Sequence, residues 1–270
     1  MRRINFKSLS SGSCGNCYYL GVETEEGRKG ILIDAGVSPR RLKKLLAGEG
    51  LGFDDFGAIL VTHDHLDHIR SLGSYCKHLQ KPVFATDRLC AVLSRHFVTG
   101  PYLTPLRRRL SKGWTEVIPG VISVHTFEVP HDASQTVGFA IRLEGLYYVH
   151  ITDCGAMTAE ALEHCSKADV VVLESNYDPD MLENGPYPQA LKDRIRGGNG
   201  HLSNKECAAA VAGFLHEGLK YVFLCHLSEH NNSPLLALQA VRSVLPEDSS
   251  VRVVPLPRES ASPLYNLSRM

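Results

Sequence analysis

The chain has 270 residues, 43% of them hydrophobic, so it is long enough and apolar enough to bury a substantial core. Lysine plus arginine and aspartate plus glutamate both total 29, so the net charge gives no overall attraction to nucleic acid. Only a local basic patch could attract it. No apolar stretch reaches the roughly 18 residues of a membrane span, and no signal peptide pattern opens the sequence, so we expect a cytoplasmic protein that does not enter membranes.

Short strands dominate the predicted elements, which follow in chain order. Strands are predicted near residues 4–9, 17–23, 30–34, 57–62, 82–85, 115–129, 136–143, 146–152, 169–174, 221–225 and 251–254. Helices are predicted to begin after Ser38 and Ser233, each followed by proline, and after Ser203, which forms a capping box with Glu206. The stretch 177–200 has the least regular pattern. Early strands cluster and later ones alternate with helices, which favours an α+β fold over a dinucleotide-binding one.

A glycine and serine turn is predicted between the first two strands, in S-L-S-S-G-S-C-G-N-C-Y-Y-L. Cys14 and Cys17 form a C-x-x-C pattern, but no second C-x-x-C completes a zinc site. The eight cysteines show no disulfide-framework spacing, which agrees with a reducing compartment. Two interpretations of the turn stay open, since Ser11 and Ser13 can contact a phosphate or can be purely structural.

The densest group of reactive side chains follows the predicted strand near residues 57–62. The segment T-H-D-H-L-D-H contains His63, His65, Asp67 and His68. Imidazole nitrogens and carboxylate oxygens suit a borderline-soft divalent ion such as zinc, and such sites are catalytic when a position is left for water. His63 and His65 alternate and so share a face in an extended chain, whereas Asp67 and His68 can reach a second ion. The segment predicts a metallohydrolase.

The other histidines compete for these roles, since the chain holds 13. His125 lies in an alternating segment without an acidic neighbour in sequence. His150 precedes residues 151–153 and is interpreted as a strand residue or as a contact of a ligand. Surface or packing positions are predicted for His78, His96, His164, His216 and His230.

The histidine motif resembles the signature of the metallo-β-lactamase fold superfamily, H-x-H-x-D-H followed by a separate His, a separate Asp and a last His. His131 in V-P-H-D, Asp153 in H-I-T-D-C-G and His226 in F-L-C-H-L-S fit the later positions. The resemblance implies a single domain over residues 1–270 with a four-layer αβ/βα sandwich. It also implies two divalent ions, zinc or manganese, one held by His63, His65 and His131, the other by Asp67, His68 and His226, with Asp153 between them.

Two further residues resemble positions in ribonuclease Z-like relatives. Glu174 ends the run D-V-V-V-L-E-S-N, and His201 lies in G-H-L-S-N. In those relatives a Glu and His pair helps to protonate the leaving oxygen, so the resemblance adds Glu174 and His201 to Asp67 as catalytic residues. The alternative is that Glu174 is an ordinary strand end and that His201 only contacts a metal ligand or is a helix N-terminal residue.

The resemblance to one group, the compact bacterial YycJ/WalJ proteins, covers nearly the whole chain. The shared patterns are S-x-S-S-G-S-x-G-N-C-Y-Y, T-H-x-H-x-D-H-I-x-x-L, Y-P-x-x-L-K-x-R-I, G-H-L-S-N and H-L-S-x-x-N-N. Members are described as metal-dependent 5′ to 3′ DNA exonucleases, so the resemblance implies a phosphodiesterase acting on DNA. The spacing from Asp153 to His226 leaves no room for a β-CASP insertion, and residues 132–152 are too short for a tRNA-binding arm.

Two basic groups are candidates for nucleic-acid contact or for ordinary solvated surface, namely Arg107, Arg108, Arg109 and Lys112, and Lys192, Arg194 and Arg196. Alternative functions stay open at this point, because a fold does not define a reaction. They are a small-molecule phosphodiesterase, a thioester hydrolase on the same fold, and a regulatory protein with little turnover.

Overall fold

The computed structural model describes residues 2–97 and 99–268. The strands in chain order are β1 (Ile4–Gly12), β2 (Gly15–Thr24), β3 (Gly27–Ile33), β4 (Ala58–Leu60), β5 (Val83–Ala85), β6 (Arg107–Arg109), β7 (Thr115–Ile118), β8 (Ile122–Glu128), β9 (Val137–Leu143), β10 (Leu146–Ile151), β11 (Val170–Glu174), β12 (Tyr221–Cys225), β13 (Arg252–Pro255) and β14 (Tyr265–Asn266). They form two seven-stranded sheets, with the orders β14-β1-β2-β3-β4-β5-β6 and β13-β12-β11-β10-β9-β8-β7.

The two sheets share one pairing scheme. Strands β1 to β3 pair antiparallel and β3 to β6 pair parallel. Strands β7 to β10 likewise pair antiparallel, and β10 to β13 pair parallel. In each half of the chain, the carboxyl ends of the parallel strands therefore lie on the same side of the sheet. The loops that follow such strand ends are where α/β sheets place ligand sites.

The helices are α1 (Pro39–Ala47), α2 (Leu66–Ile69), α3 (Leu72–Leu79), α4 (Asp87–Arg95), α5 (Gly100–Leu103), α6 (Ala159–Cys165), α7 (Pro179–Asn184), α8 (Gln189–Arg196), α9 (Asn204–Phe214) and α10 (Pro234–Arg242), with a 3-10 helix at Phe53–Asp55. All three predicted helix starts are confirmed. Ser38 and Ser233 accept hydrogen bonds from backbone N–H groups of the first turn, and Ser203 and Glu206 form the capping box.

Hydrophobic contacts arrange the two sheets and the helices in layers. In β11, Val170 and Val172 face the other sheet, whereas Val171 and Leu173 pack toward the outer helices, as the two-residue period of a strand requires. Between the sheets, the ring centroids of Phe6 and Phe223 lie 4.7 Å apart. The layers confirm the predicted α+β, four-layer αβ/βα sandwich.

Three details differ from the sequence prediction. The single strand expected over 115–129 is two strands, because a turn at Gly120 with φ of 67° folds the chain back. The stretch 177–200 contains α7 and α8, whose short lengths and flanking prolines and glycines hide the helical period. Arginines 107–109 form the exposed edge strand β6, which is not among the predicted strands. In the described part of the chain, no helix is long and apolar enough to span a membrane.

Candidate metal centre

Five strands deliver polar side chains to one edge of the sandwich. Asp34, His63, Asp153, Glu174 and His226 lie at or just beyond the carboxyl ends of β3, β4, β10, β11 and β12. Asp34, Asp153 and His226 have φ values of 63°, 52° and 53°. Each such conformation costs about 1–3 kcal/mol for a residue other than glycine, and it persists where the surroundings over-determine it. The strain concentrates at this edge.

The structure brings the first predicted ligand trio together. The ligand atoms of His63, His65 and His131 lie within 4.8 Å of one another. The ring centroids are 4.7 Å apart for His63 and His65, and 5.0 Å apart for His65 and His131. His63 is fully buried, while His65 keeps 32% of its side chain exposed. The cluster is therefore open to solvent on one side.

The second predicted trio forms beside the first. The Asp67 Oδ2 atom lies 3.4 Å from His68 Nε2 and 3.7 Å from His226 Nε2. Asp153 stands between the trios, since its Oδ2 is 3.1 Å from His68 Nε2 and its Oδ1 is 3.7 Å from His131 Nε2. One carboxylate thus faces both groups.

Several imidazole nitrogens of these clusters lack a partner. Within the described residues, the Nε2 atoms of His63, His131 and His226 are buried without a hydrogen bond. An unpaired buried polar group costs about 1–3 kcal/mol. The opposite nitrogens are held, since His131 Nδ1 lies 2.8 Å from the Gly200 carbonyl and His226 Nδ1 lies 2.9 Å from Glu174. Metal-ligating histidines show this arrangement, so the residues fit bound divalent ions.

Two residues that no sequence motif marked hold the histidine motif in place. The Asp34 carboxylate lies 2.7 Å from His68 Nδ1 and accepts hydrogen bonds from the backbone and the hydroxyl of Thr62. The Asn16 side-chain amide lies 3.0 Å from Asp67 Oδ2 and 2.9 Å from His68 Nε2. A signal was present, because Asp34 ends the apolar run G-I-L-I as the other site residues end theirs.

Glu174 and His201 form the pair that their motifs predict. Glu174 is fully buried, and its Oε1 lies 2.9 Å from His201 Nδ1. Its other oxygen accepts backbone hydrogen bonds from Cys154 and Leu202. Burial raises the pKa of Glu174, but the charge of His201 outweighs burial and lowers this pKa to about 2. Burial lowers the pKa of His201, but the Glu174 charge outweighs burial and raises it. The pair favours a protonated imidazole.

Charge coupling also acts on the aspartates of the two trios. Burial raises the pKa of Asp153, but the charges of His226 and His68 hold it well below its usual range. Burial likewise raises the pKa of Asp67, and His68 and His226 overcome that effect and lower it. Both carboxylates are ionised at neutral pH, which is the form that binds a cation.

The rival residues have different surroundings. His150 is buried, with Nδ1 3.1 Å from the Tyr148 hydroxyl, and it belongs to none of the ligand clusters formed by the described residues. Cys14 is exposed and Cys17 buried, and all eight cysteines, each within the described chain, are free. Ser11 is buried and accepts a hydrogen bond from the His226 backbone, so it is structural rather than a free phosphate contact.

The proposed basic contacts separate into several environments. Lys192 is buried and donates to the Glu183 carbonyl, which removes it from the candidates for nucleic-acid contact. Arg194 pairs with Asp132 and lines a cleft of about 210 Å³ that also contains Ser13 and His201. Arg196 pairs with Glu183 and Asp193, and Lys112 lines a separate cleft together with Arg109. Arg107, Arg108 and Arg109 are exposed on the edge strand.

Gly36 allows the histidine-rich loop, residues 62–68, to approach the start of β2. A Cβ atom at Gly36 would lie 1.8 Å from the Asp67 carbonyl oxygen and 2.4 Å from the Asn16 nitrogen. We expect Gly36→Ala to lower the free energy of unfolding by about 1–3 kcal/mol, because backbone must move apart. Gly213→Ala is the control, since a Cβ there meets nothing within 4 Å. Urea unfolding measures both, and equal stabilities of the two variants would refute the steric argument.

Comparisons with known proteins agree with this geometry. Residues 29–226 match the family model described as the beta-lactamase superfamily domain. Exodeoxyribonuclease YycJ of Bacillus anthracis is 34% identical over 244 residues, which cover 90% of each chain. Exodeoxyribonuclease WalJ of Streptococcus pneumoniae serotype 2 (strain D39 / NCTC 7466) is 32% identical over 239 residues, 88% of this chain and 87% of the relative.

Solved structures support the same fold. Zinc-bound PqqB from Methylobacterium extorquens has a TM-score of 0.69 at 18% identity, covering 96% of this chain and 99% of PqqB. The metallo-beta-lactamase fold protein YhfI from Bacillus subtilis has a TM-score of 0.67 at 14% identity, covering 97% and 99%. Fold and clustered ligands together define a metal-dependent hydrolase. The chain belongs to the beta-lactamase superfamily and is a YycJ/WalJ-like member of it.

Proposed function

We propose that this protein is a dinuclear metal-dependent phosphodiesterase that degrades DNA from the 5′ end. The observation that carries the proposal is the pair of ligand trios facing a shared carboxylate, with unpartnered buried imidazole nitrogens in both. The names of the YycJ and WalJ relatives support DNA as the substrate. Zinc and manganese both suit the donor set.

We further propose that residues 1–270 act as one domain and that the protein works in the cytoplasm. The free cysteines support the cytoplasmic location, because thiols stay reduced there.

In this proposal, His63, His65 and His131 would hold one ion, and Asp67, His68 and His226 would hold the other. Asp153 faces both trios and would serve both ions. Bound divalent ions supply Lewis acidity, which lowers the pKa of an attacking water and offsets charge on the phosphoryl oxygens. The protein's own contribution is to fix the donors before substrate arrives. Asp34 and Glu174 do so from behind by engaging the Nδ1 atoms of His68 and His226.

The chain also supplies a proton donor for the departing sugar oxygen. A sugar alkoxide leaves slowly unless a positioned acid neutralises it. His201 Nδ1 is engaged by Glu174, so Nε2 is the nitrogen that remains to donate a proton. The Glu174 charge keeps the imidazolium form populated, and His201 lines the cleft beside the trios. We therefore assign His201 as the general acid and Glu174 as the residue that orients it.

The cleft supports binding of a chain end. Its volume of about 210 Å³ is small, and Ser13, Tyr187 and Arg194 line it together with His201. An aromatic ring can stack on a base and an arginine can contact a phosphate without reading sequence. Arg194 already pairs with Asp132, so a phosphate must compete with that carboxylate. These contacts suit a terminal nucleotide of any sequence.

The proposal is tested with matched substrates. Metal-loaded protein is offered linear single-stranded DNA with a 5′ phosphate, the same sequence as RNA, a circular single-stranded DNA and bis(p-nitrophenyl) phosphate. We expect mononucleotides from the 5′ end of linear DNA, little cleavage of the circle, and loss of all activity after chelation. Cleavage of the small diester without cleavage of either polymer would instead identify a small-molecule phosphodiesterase.

Asp34 provides a prediction on metal affinity. Asp34→Asn weakens the acceptor of His68 Nδ1, and loss of such a supporting contact typically lowers metal affinity about 10–100-fold. Competition with a fluorescent zinc chelator measures the change. Asp169→Asn is the matched control, because Asp169 also accepts a backbone hydrogen bond but lies before β11, away from the candidate metal centre. Unchanged affinity in Asp34→Asn would show that the contact does not support a ligand.

A further inference from the structure

A second group of potential metal ligands lies outside the candidate metal centre. His125 is on β8, and Glu160 and His164 are on α6. Their ligand atoms all lie within 4.8 Å of one another, and His125 Nε2 is 3.3 Å from Glu160 Oε1. The ring centroids of the two histidines are 4.9 Å apart. Glu160 and His164 are four residues apart, so they share one face of the helix.

We propose that His125, Glu160 and His164 form a third divalent-metal site, for a borderline-soft transition ion such as zinc or nickel. Two imidazoles and one carboxylate are a donor set that binds zinc, and three protein ligands leave a coordination position for water or another ligand. From the sequence, His164 is expected at a surface or packing position, and His125 has no acidic neighbour. Folding supplies that neighbour, because α6 brings Glu160 to the strand.

The imidazoles are prepared for this role. His164 Nδ1 lies 2.6 Å from the Tyr147 hydroxyl, which leaves Nε2 for an ion and fixes the ring as a metal ligand requires. His125 presents its Nε2 atom to the cluster, since this atom lies 3.3 Å from Glu160 Oε1, so Nε2 is the nitrogen that would share the ion.

The site is accessible from solvent. His125 and Glu160 line a cleft of about 730 Å³, whose other walls include Arg109 and Lys112. Glu160 keeps 54% of its side chain exposed. An ion can therefore reach His125 and Glu160 from the cleft without opening the sandwich. An ion here is independent of hydrolysis by the main centre.

Trp114 gives a direct readout, since it is the only tryptophan in the chain and its ring centroid lies 5.8 Å from that of His125. Protein loaded with only two equivalents of zinc per chain, enough for the candidate metal centre alone, is titrated with nickel ions while tryptophan fluorescence is recorded. We expect saturable quenching in the wild type. The nickel concentration that gives half-maximal quenching should rise at least about tenfold in His164→Ala and Glu160→Gln. The same concentration should rise by about tenfold or more in Tyr147→Phe, as expected for loss of a contact that supports a ligand. Glu163→Gln, on the same helix, is the matched control and should behave as the wild type.

Zinc content provides the second measurement. After equilibrium dialysis against zinc, elemental analysis should find one more ion per chain in the wild type than in His164→Ala, with equal melting curves excluding unfolding. The Asp67→Ala, His68→Ala double variant should retain nickel quenching. Identical quenching and zinc content in wild type and His164→Ala would overturn the site. Loss of quenching in the Asp67→Ala, His68→Ala variant alone would assign the signal to the main centre and overturn it equally.

Discussion

Replacing Asp67 and His68 together by alanine is expected to reduce hydrolysis of linear DNA by about a thousandfold or more. The two side chains supply two of the three donors in the second trio, and His68 also lies 3.1 Å from the shared carboxylate of Asp153. Metal ions contribute several kcal/mol to stabilising the transition state, and each 1.36 kcal/mol corresponds to about tenfold in rate. Initial rates on 5′-phosphorylated DNA measure the loss.

Asp64→Asn is the matched control for this prediction. Asp64 lies in the same histidine-rich loop, but its carboxylate accepts hydrogen bonds from the backbone and hydroxyl of Ser134 and does not join either trio. Asparagine can still accept from that backbone, so we expect an effect below about tenfold. Elemental analysis should find less bound metal in the double variant only. Full activity in the double variant would remove the proposed chemistry.

His201→Ala is expected to lower the rate on DNA by about 10²- to 10⁴-fold, the usual contribution of a positioned general acid. The effect should depend on the leaving group. A p-nitrophenolate leaves without protonation, so on bis(p-nitrophenyl) phosphate we expect a loss below about tenfold. The ratio of kcat values for the two substrates, measured for wild type and variant, tests this directly.

His201 is a cleaner test than its partner. Glu174 also lies 2.9 Å from His226 Nδ1, so Glu174→Gln disturbs a ligand of the second trio as well as the acid. His201→Ala should keep the metal content of the wild type, whereas Glu174→Gln should lose some. An equal loss on both substrates in His201→Ala would mean that His201 positions substrate or structure and does not protonate the leaving oxygen.

The sequence patterns predicted most strands and three helix starts because period-two burial and caps are local signals, whereas the four-layer sandwich followed from the family resemblance. The residues after β10 and β12, Asp153 and His226, were placed by motif, and folding does bring them to the histidine-rich loop. The short edge strands β6 and β14 could not be predicted, because three exposed arginines and two half-buried residues carry no hydrophobic period. Their pairing is set by the neighbouring strands.

The missed contacts are long-range. Asp34 meets His68 across 34 residues of sequence, and Asn16 meets Asp67 across 51. Neither spacing forms a motif, and only the sheet order β2-β3-β4 brings these side chains together. The same holds for His125 and Glu160, which come together through the packing of α6 on β8. The contacts that support the candidate ligands therefore depend on the fold, and the sequence shows only that Asp34 ends an apolar run.

We expect this chain to hold two ions at the edge of the sandwich. Crystals of the zinc-loaded protein, measured at wavelengths on both sides of the zinc absorption edge, show directly whether it does. We predict two anomalous peaks about 3.5–4 Å apart, the spacing of catalytic metal pairs, one against His63, His65 and His131 and one against Asp67, His68 and His226, with Asp153 contacting both. A single peak, or none, between these trios would rule out a dinuclear centre.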